Sequence, residues 1–170
     1  MSHLSRRSVM LAVPAVPLAA TAATAATTTA AAADPADIIT FTSRRTKSTL
    51  ANLPPVPPAL GTTFIAYLDL LDDAGKSLGD GSVNGSIVDI IVAIPPKLVV
   101  QAHVIFRLTD GEIHASNMHI RAIPNPGVRH LIAITGGTGK YRTARGSGTI
   151  EHINDTDTTV VLNVMVDPPA

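Results

Sequence analysis

Asp69 and Arg107 stand among apolar residues, where charge is costly, and Arg145 stands just beyond a run of glycines. Asp69 interrupts the run Thr62-Thr63-Phe64-Ile65-Ala66-Tyr67-Leu68-Asp69-Leu70-Leu71 and shares a face with Tyr67, because side chains alternate along a strand. A carboxylate buried in such a place is neutralised by a partner or by protonation. Either state suits proton transfer. The alternative is an exposed face, or a structural pair with an arginine. Arg107 lies among apolar residues and is expected to line a lumen, to pair with Asp69, or to point to water. Arg145 follows a glycine-rich turn, where it could bind a carboxylate or a developing oxyanion. Tyr67, His103 and His114 are further candidates for a lumen wall.

Other chemistries drop out. Gly136-Gly137-Thr138-Gly139-Lys140 invites comparison with a phosphate loop, but that loop needs Gly at position 134 and Ser or Thr after the lysine. Ile134 and Tyr141 occupy those places, and no helix is expected to follow. His114 and His119 are five apart, so on one strand they face opposite sides, and no histidine pair has zinc-like spacing with a third ligand nearby. No nucleophile-elbow sequence accompanies any serine. Cysteine is absent, which removes disulfides, thiol catalysis and thiolate metal sites. No metal and no cofactor is expected.

The elements that must position these residues read as strands. The segments 62–71, 82–93, 97–108, 112–123, 128–134, 148–153 and 158–166 are short, apolar or alternating, and separated by turn residues. In the third of these, Gln101, His103, Ile105 and Arg107 share one face, while Ala102, Val104, Phe106 and Leu108 share the other. Asp110-Gly111 is a strong hairpin signal. A possible early strand at 37–41 brings the number to eight. The pattern predicts an all-β sandwich or barrel, and eight antiparallel strands can close into a barrel just wide enough for side chains or one small ligand. Hydrophobic residues are 45% of the 170 but aromatics only 3%, so the core is built from Val, Ile, Leu and Ala.

Three regions follow. Residues 1–33 read as an export signal, with the twin-arginine pattern Ser5-Arg6-Arg7-Ser8-Val9-Met10 and small residues at Ala31-Ala32-Ala33 for cleavage. Val9 replaces the usual Phe, which leaves the Sec route as an alternative to Tat. A secreted location is expected. Residues 34–60 read as an arm and a Pro-rich linker, and 61–170 as the barrel. The 13 basic and 13 acidic residues balance, so there is no electrostatic footprint for nucleic acid and no polybasic anchor for a membrane.

The glycine stretch carries a family resemblance. Ile134-Thr135-Gly136-Gly137-Thr138-Gly139-Lys140-Tyr141-Arg142-Thr143-Ala144-Arg145-Gly146 closely resembles the Gly-Gly-Thr-Gly-Lys-Phe-Arg-x-Ala-Arg-Gly signature of plant dirigent proteins. It is also similar to the Ile-Thr-Gly-Gly-Ser-Gly segment of allene oxide cyclases. Leu68-Asp69-Leu70-Leu71, Gly81-Ser82-Val83-Asn84-Gly85 and the segment 106–116 resemble further dirigent landmarks in the same order. The resemblance implies an eight-stranded barrel, commonly a homotrimer, with an apolar lumen. It implies a cofactor-free cyclase or isomerase that holds a small hydrophobic substrate in one fold while its ring closes. Asp69 would donate or accept the proton, and Arg145 or Arg107 would bind a carboxylate or oxyanion. The first barrel strand has no Glu of the allene oxide cyclase kind, and Ile113 and His114 replace a dirigent Tyr and Asn. The rival readings are a non-catalytic barrel for a hydrophobic ligand and a trimeric scaffold with a filled lumen.

Overall fold

A computed structural model of the chain describes residues 36–49, 59–94, 97–122 and 127–168. The expected export signal and most of the Pro-rich linker lie outside the described residues.

Eight strands follow in order: β1 (Asp37–Ser48), β2 (Thr63–Leu71), β3 (Ser77–Ile91), β4 (Lys97–Leu108), β5 (Gly111–Ala122), β6 (Arg129–Gly137), β7 (Arg145–His152) and β8 (Asp157–Met165). Each pairs antiparallel with the next, and β1 pairs with β8, so the sheet closes on itself. The predicted eight-stranded antiparallel barrel is therefore the observed fold. Closure leaves no edge strand to template aggregation.

β1 corrects one expectation. The arm placed at 34–60 contributes a full stave, which pairs with β8 from Asp37 to Arg44 and with β2 from Thr42 to Ser48. The barrel thus starts at Asp37 and not at 61. The linker-like prolines that follow conceal this in the sequence, because proline ends a strand without saying whether the strand belongs to the sheet.

Strand parity decides what fills the barrel. In β4 the even residues Leu98, Val100, Ala102, Val104 and Phe106 are buried, while Gln101, His103, Ile105 and Arg107 are exposed. The same rule puts Ala66, Leu68 and Leu70 of β2 inside and Ile65 and Tyr67 outside. In β5 the inward set is odd, beginning with Ile113 and Ala115.

The two ends of the barrel differ. At one end, large side chains close the lumen. Phe41 and Phe106 meet edge to face with centroids 5.1 Å apart, surrounded by Leu70, Ile113, Leu162 and Val164. The glycine stretch folds over this end. A short 3-10 turn at Gly139–Tyr141 buries Tyr141, and Lys140 and Thr138 donate backbone hydrogen bonds to the carbonyls of Asp110 and Glu112, each at 2.9 Å. Gly139 adopts the left-handed region at φ 58° that this corner needs. Gly137 runs so close to the Glu112 carbonyl that a Cβ would overlap it. The glycines therefore shape a corner of the closed end and form no ligand cradle.

Candidate functional site

Halfway up the barrel the inward residues are small. Ala66 and Ala102 replace the phenylalanines of the closed end, and the Phe64 ring lies over Gly85, which has no side chain to obstruct it. The space left is a cavity open to solvent on one side. Leu68, Val83, Val100, Val104, Ile150 and Val160 make its walls aliphatic. Such a lining binds apolar matter by removing it from water.

The mouth is polar. Arg45 of β1, Asn117, His119 and Arg121 of β5, and His152 of β7 all take inward positions there. His130 of β6 stands beside them, its ring centroid 4.4 Å from that of His119 and 6.2 Å from that of His152. The His152 Nδ1 lies 2.9 Å from the Thr158 hydroxyl. Arg45 donates to the backbone carbonyl of Asp155 at 2.6 Å. The seam between β5 and β6 contributes to the opening. Cα pairing there covers only Ile113 to Ser116 against Ala133 to Gly137. Beyond it Asn117 reaches across with its side-chain amide to the Leu131 carbonyl, at 3.3 Å.

Burial sets the charge states at the mouth. His119 and His152 are each pushed down to about 4, first by desolvation, then by His130 in one case and Arg121 in the other. His130 is lowered too, by burial and then by Arg121. These rings are neutral at pH 7, able to accept or donate a hydrogen bond. Arg121 is also lowered, by burial and then by the like charge of Arg45. Among the described residues, four buried polar atoms here have no hydrogen-bond partner: Asn117 Oδ1, His119 Nδ1, Arg121 Nε and His152 Nε2. Each such atom costs about 1–3 kcal/mol unless something else satisfies it. Among the described residues, no three His, Asp or Glu side chains are placed to hold a metal ion.

The candidate residues read from the sequence lie on the other side of the wall. Tyr67, His103 and Arg107 are exposed on outward positions, and none of them, nor Asp69, lines the cavity. The Tyr67 hydroxyl donates to Asp80 at 2.7 Å, and Arg107 grips the same carboxylate through Nε at 2.7 Å and Nη2 at 2.5 Å. Arg107 therefore pairs with Asp80 and not with Asp69. Asp69 sits between Arg44 and Asp80 in register on the outer face. His114 is half-buried outside, its Nε2 3.2 Å from Glu112. Arg145 is exposed at the closed end and ion-pairs with Asp167. The lumen placement expected for Tyr67, His103 and His114 is thus corrected. The reason is parity: each occupies the strand face opposite the buried one.

The residues that do ring the mouth were missed, although β5 carries a signal. Ile113 and Ala115 are followed, on the same face, by Asn117, His119 and Arg121, while Met118 and Ile120 lie on the opposite face. An inward face that turns from apolar to polar along one strand marks the mouth of a lumen. Exposed Met118 and Ile120 reverse the usual inside-outside contrast and hide it.

Solved structures share this barrel. A pyocyanin demethylase superposes with a TM-score of 0.64 at 19% identity, covering 76% of this chain and 100% of its own. AbnU, an exo-specific intermolecular Diels-Alderase, gives 0.53 at 18% identity, with 75% and 98% covered. A nonspecific heme-binding cyclase that catalyses a cycloaddition during neoabyssomicin biosynthesis gives 0.58 at 17% identity, with 79% and 70% covered. At these identities the likeness is one of fold. No protein-family model matches the chain, and no curated protein matches its sequence.

Proposed function

We propose that the chain is a barrel cyclase or isomerase of the dirigent and allene oxide cyclase kind. It takes a small, largely apolar molecule into its lumen and holds it in the conformation from which a ring closes. The observation that carries this reading is the aliphatic cavity, closed at one end by Phe41 and Phe106 and open at the other. A wall of branched side chains restricts a flexible guest to few conformers, which lowers the entropic part of a cyclisation barrier. The neutral imidazoles at the mouth could pass a proton, and an arginine there could stabilise developing negative charge. The fold likeness to proteins named as Diels-Alderases supports the reaction class. On this reading the chemistry is the guest's own and needs no cofactor.

A carrier for a hydrophobic ligand is the second reading. It is favoured by the depth of the cavity, where the lining named above is aliphatic and nothing ionises. In either case the chain acts outside the membrane, exported through its twin-arginine leader. A homotrimer is proposed with it, because Ile65, Ile105, Met118 and Ile120 expose apolar surface on the outer wall of β2, β4 and β5. Light scattering checks that assembly, and a monomer at micromolar concentration would remove it.

Fluorescence of N-phenyl-1-naphthylamine, a neutral probe of apolar cavities, tests the lumen. Saturable binding is expected in the wild type and none in Ala102→Phe, which fills the space. A folded wild type that leaves the probe dark defeats the lumen reading. Extracellular metabolite extract is then incubated with both proteins. A changed ratio of cyclised products with wild type alone supports the enzyme. An unchanged ratio leaves the carrier.

A further inference from the structure

We propose that the mouth of the lumen is a carboxylate-binding subsite, in which Arg45 and Arg121 hold the head of an organic acid whose apolar body lies along the barrel. This rests on the lumen being a ligand site, and it names the class of ligand.

The first observation is a contrast between the two faces of the wall. On the outside, Arg44, Arg107, Arg129 and Arg145 each pair with a carboxylate: Asp157, Asp80, Glu151 and Asp167 respectively. The two arginines at the mouth do not share this arrangement. Arg45 spends a guanidinium nitrogen on the neutral carbonyl of Asp155. The Arg121 Nε is buried without a partner among the described residues. Among the described residues lining the cavity, Asp155 is the one carboxylate, and it sits exposed at the rim. Two guanidiniums therefore face one carboxylate, and the mouth keeps a net positive charge.

The second observation is the set of unsatisfied donors. Besides the Arg121 Nε, the His119 Nδ1 and the His152 Nε2 lack hydrogen-bond partners among the described residues. A neutral imidazole can carry its proton on either nitrogen, so both can donate to an oxyanion. These groups come from β1, β5 and β7 and converge only because the barrel closes. A guanidinium fork matches the two oxygens of a carboxylate, and charge-assisted bonds of this kind are the strong ones. The same positive charge argues against a metal cation among these histidines. Below them the aliphatic walls accept a hydrocarbon body but no second charge.

Octanoate and octanol test the assignment, because they differ only in the head. In a purely apolar lumen the alcohol would bind better, since the acid must bury a charge. Each compound is titrated against bound N-phenyl-1-naphthylamine, and each is also titrated directly by calorimetry. The subsite is then read even if the naphthylamine stays out. Octanoate is expected to bind the wild type about tenfold more tightly than octanol, a preference erased in Arg121→Met and in Arg45→Met. Octanol should change by less than about twofold in either variant. Arg121→Lys, which keeps the charge without the fork, should retain part of the preference. Arg45 stands nearer the rim, so Arg45→Met serves if Arg121→Met does not fold. Equal binding of acid and alcohol to the wild type overturns the carboxylate subsite and leaves the apolar lumen standing. An octanoate preference that survives both methionine variants overturns the assignment to these arginines. Absence of any binding by naphthylamine and octanol, with octanoate still bound, defeats the lumen reading and overturns the proposal with it, leaving only an anion site at the rim. Absence of all three overturns both.

Discussion

His119 and His130 lie with ring centroids 4.4 Å apart and planes tilted by 38°, beyond the point where β5 and β6 cease to pair. The two rings stand where backbone hydrogen bonds would otherwise have continued the sheet. A seam held by side chains is softer than one held by a ladder, and its chemistry responds to protonation.

Acid should weaken the fold through this cluster. His119 and His152 are held at about 4 against an ordinary 6.5. Above pH 6.5 the rings are neutral in both folded and unfolded chains, and they contribute no pH dependence. Between 6.5 and 4 the unfolded chain binds protons that the folded chain refuses, so stability falls as pH falls. The shift corresponds to an upper limit near 3 kcal/mol per ring at about 1.4 kcal/mol per unit. Both rings border a wet mouth, and solvent screening brings the expected loss to about 1 kcal/mol each. Urea unfolding at neutral pH and near pH 4 measures it. The double variant His119→Asn, His152→Asn should show a flatter profile, and an unchanged one would count against the assignment.

The outer wall should be dispensable for the lumen. Arg107 leaves 61% of its side chain exposed while pairing with Asp80. An exposed pair contributes at most about 1 kcal/mol, so Arg107→Met should cost no more than that in thermal unfolding. Asp69→Asn should alter naphthylamine binding by less than about twofold, because it acts on the far side of the wall. A large loss of binding in Asp69→Asn would restore it as a lumen residue.

The closed end should be intolerant of change. Phe106 is 1% exposed and meets Phe41, so Phe106→Ala should cost about 3–5 kcal/mol. Gly137→Ala drives a methyl group into the Glu112 carbonyl, a backbone atom that cannot step aside. Overpacking of this kind costs about 1–3 kcal/mol, and calorimetric unfolding reads both variants.

A protein beginning at residue 61 should not fold. It would lack β1, which pairs with both β2 and β8. The barrel would open with two bare edges and lose Phe41 from its core. Loss of the cooperative transition and aggregation are the expected readouts. A soluble, cooperatively unfolding fragment would return β1 to the role of an accessory arm.

These outcomes separate what was legible in the sequence from what was not. Residues such as Val104 and Phe106 announce a strand by alternation alone, and Asp110-Gly111 announces the hairpin after it. The glycine stretch was legible as a corner, since Gly137 and Gly139 tolerate approaches and angles that other residues do not. Short-range rules act within a few residues, so the sequence by itself determined the seven staves after the linker, their antiparallel order and the aliphatic character of the core, but not that the early strand joins them.

It did not determine which face of each stave looks inward. Alternation defines two faces and is silent on their sense. Asp69 and Arg107 were plausible lumen residues until the paired carboxylate of Asp80 appeared outside them. Nor could spacing assemble the mouth. Arg45, Arg121 and His152 lie on strands far apart in the chain, and they meet because β1 closes against β8. Closure is a global event: it chooses the sense of every strand at once, by burying the set of side chains that fills the barrel best. Only the tertiary structure could therefore decide which charges face a ligand and which face water.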